Sequence, residues 1–436
     1  MRIFAQSALT IGLTAALLGG CGGLQPPGAT PQTSAIPPAR SAAHRFSASY
    51  QQLFRFHPPK DGTHPASGLL DVNGTLYGTT QNGGLSRRGT VYSISTGGVE
   101  KVLYRFRGGS DGSNPLSDLI NVNGTLYGTT SQGGGSGCSS GHDDGCGTVY
   151  SVTTSGREKV LHAFKGGNSD GGDPLAGLID VNGTLYGTTA YGGGSGCKLT
   201  GFPTGCGTVF SVTTTGKETV LHSFGGTDGE NPAADLIDVN GLLYGTTIFG
   251  GAGCGCGTVF SITPTGAENV LYAFQGVSDG YWPLSALIDV NGTLYGTTNG
   301  GGTYCATGSG VTCGTVYSVS TTGAKKIIYQ FTGGADGRNP QAGLIEVNGA
   351  LYGTTPLGGV ANCRGAIGGT CGTLYSVTTG GVETVLYRFA SGTDGANPIA
   401  PLTNVNGTLY GTTIQGGDFD RCCIIYGYGT FFAFTP

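Results

Sequence analysis

The pentapeptide Leu-Tyr-Gly-Thr-Thr, which first stands at residues 76–80, decides the fold of this chain. It recurs unchanged at six further places, which begin at Leu126, Leu185, Leu243, Leu294, Leu351 and Leu409. Successive copies lie 50 to 59 residues apart, which is the period of a propeller blade rather than of a helical solenoid. The spacing therefore indicates seven structural repeats.

Each repeat has the sequence pattern of four short strands. In the second repeat an apolar stretch at 116–122 is followed by Asn123-Gly124, the dipeptide that favours a two-residue type I′ hairpin. A turn at Ser155-Gly156 precedes the last strand. The remaining strands of this repeat are predicted at 125–130, 147–152 and 159–164. Four antiparallel strands joined in this way make a propeller blade.

The number of strands predicts how the ring closes. The first three strand types each occur seven times, and the last third strand is predicted at 429–434. A fourth strand is missing there, but residues 50–56 match the fourth-strand pattern of 102–106. The prediction is an all-β, seven-bladed β-propeller in which an amino-terminal strand completes the last blade. An open ring would leave a strand edge unpaired.

The repeat resembles the GloVer family of bacterial tandem-repeat proteins, which are exported and carry varied surface anchors. The resemblance rests on the Leu-Tyr-Gly-Thr-Thr and Gly-Thr-Val-Tyr motifs and covers roughly residues 50–436. It implies a repeat protein of the cell envelope. It implies no activity, because the family has no assigned catalytic residues to transfer to this chain.

The amino terminus has the pattern of an export signal. Arg2 precedes an apolar run at 11–18, and Leu18-Gly19-Gly20-Cys21 resembles a bacterial lipobox. We therefore expect a lipoprotein signal peptide at 1–20, a Pro/Ala/Ser-rich tether at 21–48 and the propeller at 49–436. Cys21 would carry the lipid that anchors the exported protein at the outer membrane or cell surface. The alternative is an ordinary signal peptide, in which Cys21 is incidental.

The charge of the chain excludes one class of partner. Charged residues make up 11% of the sequence, and the net charge is −4. Because no basic stripe is present to neutralise phosphates, nucleic acid is not an expected partner. Membrane contact is expected only through the lipid on Cys21.

The cysteines indicate an oxidising compartment. Twelve of the 13 lie in pairs within single loops, and pairing inside each loop explains all of them. Zinc binding is less well supported, because the sequence has no Cys-x-x-Cys knuckle. The pairing of Cys254 with Cys256 and of Cys422 with Cys423 stays open. The other predicted pairs are Cys138–Cys146, Cys197–Cys206, Cys305–Cys313 and Cys363–Cys371.

One face of the propeller concentrates the variation between repeats. The loops between second and third strands lie there with the blade-to-blade connections, while the opposite face has minimal turns. Variable loops on a rigid scaffold are common binding sites. The alternative is that their aromatic side chains only pack the loops onto the blades. The candidate ligand-binding residues are Tyr281, Trp282, Tyr191, Phe202, Phe249, Tyr304 and Tyr426, with the polar pair His142 and Asp143.

The sequence contains no convincing catalytic or metal motif, and no cofactor is predicted. His162 and His222 occupy a position held by Tyr in four other repeats and are interpreted as packing residues. The Asp of each Asp-Gly pair is interpreted as a turn residue that binds its own backbone. The leading hypothesis is a surface-tethered, non-catalytic module that binds a glycan or an envelope protein. The alternative is an exported lyase or hydrolase that acts on a polysaccharide or similar polymer and uses His57, His64, His142, Asp143 and Asp144. A purely structural envelope or adhesion protein is a third possibility.

Overall fold

A computed structural model describes residues 49–135, 138, 145–194, 196–197, 204–305, 312–360, 363, 369–417 and 427–436. Over these ranges the regular structure is strand, apart from short 3-10 turns such as Gly109–Asp111 and Gly392–Asp394. None of the described residues belongs to a helix that could cross a membrane.

The strands form seven four-stranded antiparallel sheets, which are the blades of a propeller. The chain begins with β1 (Ser49–Arg55), which belongs to the last blade. The first three blades use β2 (Leu70–Val72), β3 (Thr75–Thr80), β4 (Thr90–Ser95), β5 (Glu100–Arg105), β6 (Ile120–Val122), β7 (Thr125–Thr130), β8 (Thr148–Thr153), β9 (Glu158–Ala163), β10 (Gly171–Gly172), β11 (Ile179–Val181), β12 (Thr184–Thr189), β13 (Tyr191–Gly192), β14 (Thr208–Thr213) and β15 (Glu218–Ser223). The remaining blades use β16 (Ile237–Val239), β17 (Leu242–Thr247), β18 (Thr258–Ile262), β19 (Glu268–Ala273), β20 (Ile288–Val290), β21 (Thr293–Thr298), β22 (Thr315–Ser320), β23 (Lys325–Gln330), β24 (Ile345–Val347), β25 (Ala350–Thr355), β26 (Thr373–Thr378), β27 (Glu383–Arg388), β28 (Thr403–Val405), β29 (Thr408–Thr413) and β30 (Thr430–Thr435).

Blades 1 to 6 are each built from consecutive strands, and β10 and β13 form a separate two-residue pair in blade 3. The inner strands β2, β6, β11, β16, β20, β24 and β28 contact one another in a closed circle around the axis. The fourth strand of each sheet is therefore the outermost.

The ring closes through the amino-terminal strand, as predicted. The last sheet has the order β1-β30-β29-β28, and β1 pairs antiparallel with β30. The hydroxyl of Thr412 in blade 7 donates to the carbonyl of Pro65 in the first connection at 3.1 Å. Phe56, which follows β1, is fully buried and packs edge-on against Tyr92 of blade 1, with ring centroids 5.2 Å apart. The closing strand thus contributes both to the last sheet and to the interface with the first blade.

The core of the molecule lies between neighbouring blades. At the interface of blades 1 and 2, for example, Val91 and Phe106 of blade 1 pack against Leu126 and Tyr150 of blade 2. The rings of Phe106 and Tyr150 meet edge-on at 5.0 Å. Seven such clusters of buried apolar side chains are present. Each blade is therefore stabilised mainly by its neighbours, as in other repeat proteins.

The structure explains why the pentapeptide does not vary. A Cβ atom on Gly128 would lie 2.7 Å from the hydroxyl oxygen of Tyr150, so the ring of the third strand requires glycine beneath it. The first threonine, Thr129, donates to the carbonyl of Ala176 in the next blade at 2.8 Å. The second, Thr130, bonds a threonine hydroxyl of the third strand at 2.8 Å. The motif therefore holds each blade together and ties it to the next.

The hairpin turns confirm the predicted type I′ geometry, while the inner strands are shorter than expected. Asn123 and Gly124 both have positive φ, at 52° and 84°. The inner strand of blade 2 is Ile120–Val122, whereas the sequence predicted 116–122. The difference arises because the hydroxyl of Ser117 accepts the backbone N–H of Thr129 at 3.0 Å. A side chain thus replaces the backbone ladder in this part of the segment.

Five of the predicted disulfides are present. The structure settles one of the two open pairings, because Cys254 and Cys256 are bonded to each other with Cα atoms 5.2 Å apart. Cys21, Cys422 and Cys423 lie outside the described residues. The other four bridges are Cys138–Cys146, Cys197–Cys206, Cys305–Cys313 and Cys363–Cys371.

Candidate functional site

The blade-to-blade connections and the loops between second and third strands share one face, called here the loop face. Backbone bridges join the two kinds of segment in most blades, for instance between Glu230 and Phe249 and between Tyr281 and Gly300. Antiparallel order places the Asn-Gly hairpins on the opposite face. The loop face therefore carries the selected aromatic residues that the structure describes, which are Tyr191, Phe249, Tyr281, Trp282 and Tyr304.

Three of these residues come together where blades 4 and 5 meet. The rings of Tyr281 and Trp282 lie edge-on with centroids 4.8 Å apart, and those of Phe249 and Trp282 lie edge-on at 6.1 Å. All three side chains are half-buried. Edge-on contacts of this kind stabilise an aromatic pair beyond simple area burial. We call Phe249, Tyr281 and Trp282 the aromatic cluster.

Tyr281 is held in place on two sides. Its ring lies over Gly300, where a Cβ atom would come within 2.1 Å of the Tyr281 ring carbon Cε2. Its hydroxyl bonds the hydroxyl of Thr312 at 2.8 Å, and Thr312 in turn accepts the backbone N–H of Gly301 at 2.7 Å. The ring therefore has little conformational freedom left to lose when a ligand binds.

Trp282 has an unusual backbone conformation for its residue type. Its φ is 57°, in the left-handed region. The equivalent residues of the other repeats have φ between 52° and 64° and are His64, Asn114, Asp173, Asn231, Asn339 and Asn397. Asn, Asp and His are the non-glycine residues that tolerate this region best, whereas a bulky residue there is an outlier. Tryptophan is thus the exception among the seven.

Asparagine side chains at this position link two blades by a hydrogen bond, whereas tryptophan links them by ring packing. The side-chain amide of Asn339 donates to the carbonyl of Asn299 in the preceding blade at 2.8 Å. Asn231 makes the equivalent bond to the carbonyl of Ala190 at 3.1 Å. Trp282 instead packs its ring against Phe249 of the preceding blade. Replacing asparagine by tryptophan exchanges an inter-blade hydrogen bond for aromatic surface.

The other candidate residues have different surroundings. Tyr304 is 65% exposed and forms a backbone bridge with Thr312, the residue that holds Tyr281. Tyr191 is only 7% exposed. Burial raises the pKa of its hydroxyl, opposed by a hydrogen bond with Asn231. Tyr191 therefore belongs to the packing between blades and offers a ligand little surface. Phe202, Tyr426, His142 and Asp143 lie outside the described residues.

The histidines proposed for an active site have separate surroundings. His57 is 51% exposed and lies 3.7 Å from the carboxylate of Asp61. His64 contacts the hydroxyl of Thr63 at 3.1 Å, and burial lowers its pKa. His142, Asp143 and Asp144 lie outside the described residues. The two described histidines, His57 and His64, therefore contact residues of their own connecting loop.

Two carboxylates that the sequence analysis did not select lie near the axis. Asp118 accepts the backbone N–H of Gly68 at 2.5 Å, and Asp235 accepts that of Gly177 at 2.5 Å. Burial, and then the charge of Asp235, raise the pKa of Asp118 to about 7. Each carboxylate reaches into the preceding blade. The hydrogen bonds of Asp118 and Asp235 therefore link neighbouring blades.

Between the outer strands, a polar cluster recurs that the sequence analysis interpreted only in part. The hydroxyl of Tyr329 donates to Asp336 at 3.1 Å, and Glu383 of the next blade lies beside it. The predicted turn role of this Asp is confirmed, because the same oxygen of Asp336 accepts the backbone N–H of Thr332 at 2.7 Å. Burial, followed by the charge of Asp336, raises the pKa of Glu383 to about 7.

Two blades carry His in place of this Tyr, and the packing prediction for them is confirmed. His162 meets Phe164 edge-on at 4.8 Å, and His222 meets Phe224 in the same way at 4.8 Å. Their ring nitrogens also face carboxylates. The sequence indicates this polar cluster by two features. His replaces Tyr at 162 and 222, and an acidic residue occurs both in the following Asp-Gly pair and at the start of the next outer strand.

Similarity to solved structures concerns the fold alone. A gluconolactonase from Xanthomonas campestris aligns with a TM-score of 0.40 at 11% identity, over 95% of this chain and 99% of its own. The endosialidase of phage phi92 aligns with a TM-score of 0.47 at 11% identity, over 89% and 69% of the two chains. PorZ, a surface component of the type-IX secretion system of Porphyromonas gingivalis, aligns with a TM-score of 0.47 at 13% identity, over 88% and 47%.

Similarity in sequence is found at the level of the repeat. No curated protein matches the chain. The family model of the Gloeobacter/Verrucomicrobia repeat matches residues 43–140, 137–309 and 304–436, which together span the whole propeller. The chain therefore belongs to the Gloeobacter/Verrucomicrobia repeat family.

Proposed function

We propose that the protein is a non-catalytic binding module of the cell surface and that the aromatic cluster binds a glycan chain. The observation that carries this proposal is Trp282. Six of seven equivalent positions hold a residue suited to left-handed backbone, and the seventh holds tryptophan at a φ of 57°. A left-handed conformation disfavours an ordinary side chain by roughly 1–2 kcal/mol. Such strain persists where a function requires the residue.

The geometry around Trp282 suits recognition of an uncharged, extended ligand. Tyr281 is fixed by Gly300 and Thr312, so a ligand meets a preformed aromatic surface. Rigid aromatic side chains provide contact area with little loss of conformational entropy. Tyr304 adds a further exposed ring on the loop that carries Thr312. Sugar rings present flat apolar faces edged by hydroxyl groups, which fit aromatic rings beside the hydroxyls of tyrosine and threonine.

The location that we propose is the cell envelope, with Cys21 as the lipid-bearing residue. The five disulfides fit a protein that folds in an oxidising compartment. Residues 21–48 would then act as a tether between the lipid and the propeller. In this arrangement the loop face is presented to ligands outside the membrane.

The test is the substitution Trp282→Asn, which installs the residue found at the equivalent position of four other repeats. Binding of the purified chain would be screened on an array of neutral oligosaccharides, and hits would be measured by isothermal titration calorimetry. We expect affinity to fall by roughly ten- to thirtyfold, the effect of losing a central aromatic contact. The melting temperature should stay the same or rise, because asparagine suits the backbone and can donate to the carbonyl of Ile248.

A matched control lies on the opposite face. Val382 is apolar and 67% exposed in a turn between third and fourth strands, so Val382→Asn makes a similar change in polarity away from the aromatic cluster. It should leave binding unchanged. Equal binding by the wild type and the Trp282→Asn variant would refute the proposed site. Hydrolysis or elimination of an array glycan by the wild type would favour the exported enzyme instead.

A further inference from the structure

The polar cluster between neighbouring outer strands recurs around the ring, and its residues differ from blade to blade. It consists of a Tyr or His on one outer strand, the Asp of the following Asp-Gly pair, and the first residue of the next outer strand. In the tyrosine blades, the hydroxyl fills the space between the two carboxylates, as Tyr329 does between Asp336 and Glu383. The single hydroxyl proton is donated to Asp336, and Oε1 of Glu383 is buried without a hydrogen-bond partner.

Blade 5 shows that the same space accepts a positive charge. There the first residue of the outer strand is Lys325 instead of glutamate, and its ammonium nitrogen lies 2.6 Å from a carboxylate oxygen of Asp279. The lysine side chain is only 4% exposed. The cluster therefore holds a nearly buried cation that the chain itself supplies.

In the two histidine blades the space between the groups is not bridged by a hydroxyl or by an ammonium. At the interface of blades 2 and 3, His162 Nε2 lies 3.6 Å from Asp170 Oδ1. This separation is too long for a good hydrogen bond. Nε2 of His162 and Oε1 of Glu218 are both buried and have no hydrogen-bond partner. Buried polar atoms without partners are unfavourable and uncommon in folded proteins.

The interface of blades 3 and 4 holds the same three residue types, but there the histidine is hydrogen-bonded. His222 Nε2 lies 2.9 Å from Asp228 Oδ2, and Oε1 of Glu268 is buried without a partner. The other carboxylate oxygen of Asp228 accepts the backbone N–H of Gly225 at 2.8 Å.

We propose that His162, Asp170 and Glu218 form one binding site for a divalent transition-metal ion, and that His222, Asp228 and Glu268 form a second. In each set the three candidate ligand atoms lie within 4.8 Å of one another. An imidazole nitrogen with two carboxylate oxygens is a ligand set for Zn²⁺ and its neighbours, whereas Ca²⁺ and Mg²⁺ prefer oxygen alone.

The distances fit an ion of this size after a small adjustment. Bonds of about 2.0–2.1 Å in a tetrahedral site place ligand atoms roughly 3.3 Å apart. The 3.6 Å between His162 and Asp170 is close to this value. Asp170 is already oriented, because its other carboxylate oxygen accepts the backbone N–H of Lys165 at 2.9 Å. Rotation of the Glu218 side chain would complete three protein ligands and leave a position for water.

Both ions would join outer strands of neighbouring blades. His162 lies in β9 and Glu218 in β15, so the first ion links blade 2 to blade 3. His222 lies in β15 and Glu268 in β19, so the second links blade 3 to blade 4. None of the six proposed ligands belongs to the aromatic cluster, so binding of Zn²⁺ and binding of a glycan can be measured separately.

The test compares metal stoichiometry among variants that the repeats themselves suggest. The full chain, freed of metal with EDTA, would be titrated with ZnCl₂ by calorimetry, and Co²⁺ would report the coordination geometry by its absorption spectrum. We expect two equivalents of Zn²⁺ and a rise in melting temperature. The double variant His162→Tyr/His222→Tyr copies the tyrosine blades and should fold but bind neither equivalent.

A gain-of-site variant makes the test stricter. Tyr104 already lies 2.5 Å from Asp111 and close to Glu158, so Tyr104→His should create a third site and raise the stoichiometry to three. His57→Gln removes an exposed histidine and should leave it at two. Should the double tyrosine variant fail to fold, Glu218→Gln/Glu268→Gln replaces it. The proposal is overturned if the wild type binds no Zn²⁺ or if the double variant retains both equivalents.

Discussion

Replacing Phe56 by alanine tests whether the amino-terminal strand closes the ring. Phe56 follows β1, is fully buried and packs edge-on against Tyr92 of blade 1 at 5.2 Å. It also meets Phe54 edge-on at 5.2 Å. Truncating a buried phenylalanine removes its apolar surface and leaves a cavity, which together destabilise a core by about 3–5 kcal/mol. We therefore expect Phe56→Ala to lower the free energy of unfolding by this amount.

The repeat supplies a matched reference within the same chain. Phe331 follows β23 in blade 5, is also fully buried, and packs edge-on against Tyr375 of blade 6 at 5.1 Å. The two phenylalanines have the same position in their blades, but Phe331 is joined to its blade by continuous chain. Because the contacts are equivalent, Phe331→Ala should destabilise the protein by the same amount as Phe56→Ala, within about 1 kcal/mol.

Both variants would be measured by urea denaturation with the disulfides intact, followed by far-ultraviolet circular dichroism. Limited proteolysis would report opening of the last blade separately, since a repeat protein can lose one unit before the others. Closure predicts a large effect for both substitutions. If Phe56→Ala leaves stability close to that of the wild type while Phe331→Ala lowers it by several kcal/mol, β1 does not contribute its interface and the closed ring is refuted.

Two further predictions concern pH and location. Burial and the charge of Asp111 raise the pKa of Glu158 from an ordinary value of 4.5 to about 7, so the folded state binds this proton more tightly and stability falls as pH rises through that interval. Because Glu158 is only half-buried, solvent screens its charge, and Glu158→Gln should remove about 1 kcal/mol of that loss. Melting curves of this variant between pH 4 and pH 8 should then differ less than those of the wild type, and an unchanged pH profile would contradict the assignment. Cys21→Ser should abolish labelling by a lipid precursor and release the protein from membranes, whereas continued membrane retention would indicate another anchor.

The sequence predicted the fold well because each element is specified by local chemistry that is repeated seven times. The Asn-Gly turns need a left-handed pair, and the strand after the turn of blade 2 begins at Thr125, as predicted. The third and fourth strands of that blade begin within one residue of the predicted positions, at Thr148 and Glu158. The inner strand was predicted too long, because a serine hydroxyl can replace a backbone acceptor without changing the hydrophobic pattern. Ser117 does this in blade 2.

The candidate site could be predicted only in part, because sequence gives the position of a side chain in the repeat but not its depth. Tyr191 and Phe249 occupy equivalent positions, yet Tyr191 is buried against Asn231 while Phe249 stays half-buried beside Trp282. The difference arises from the partner in the next blade. Convergence of three rings therefore depended on long-range packing that no single repeat encodes.

Seven copies of one blade also allow structural residues to be separated from functional ones without any other protein for comparison. A substitution that keeps the hydrogen bonds made at the equivalent positions of the other blades needs no further explanation. Trp282 does not keep them, since its backbone is left-handed and it lacks the hydrogen bond that the side-chain amide of Asn339 donates. His162 does not keep them either, since its Nε2 is buried without a hydrogen-bond partner, whereas the hydroxyl of Tyr329 donates to Asp336. Folding alone favours asparagine at the first position and tyrosine at the second, so a ligand at each position is the simplest physical reason for the residues found there.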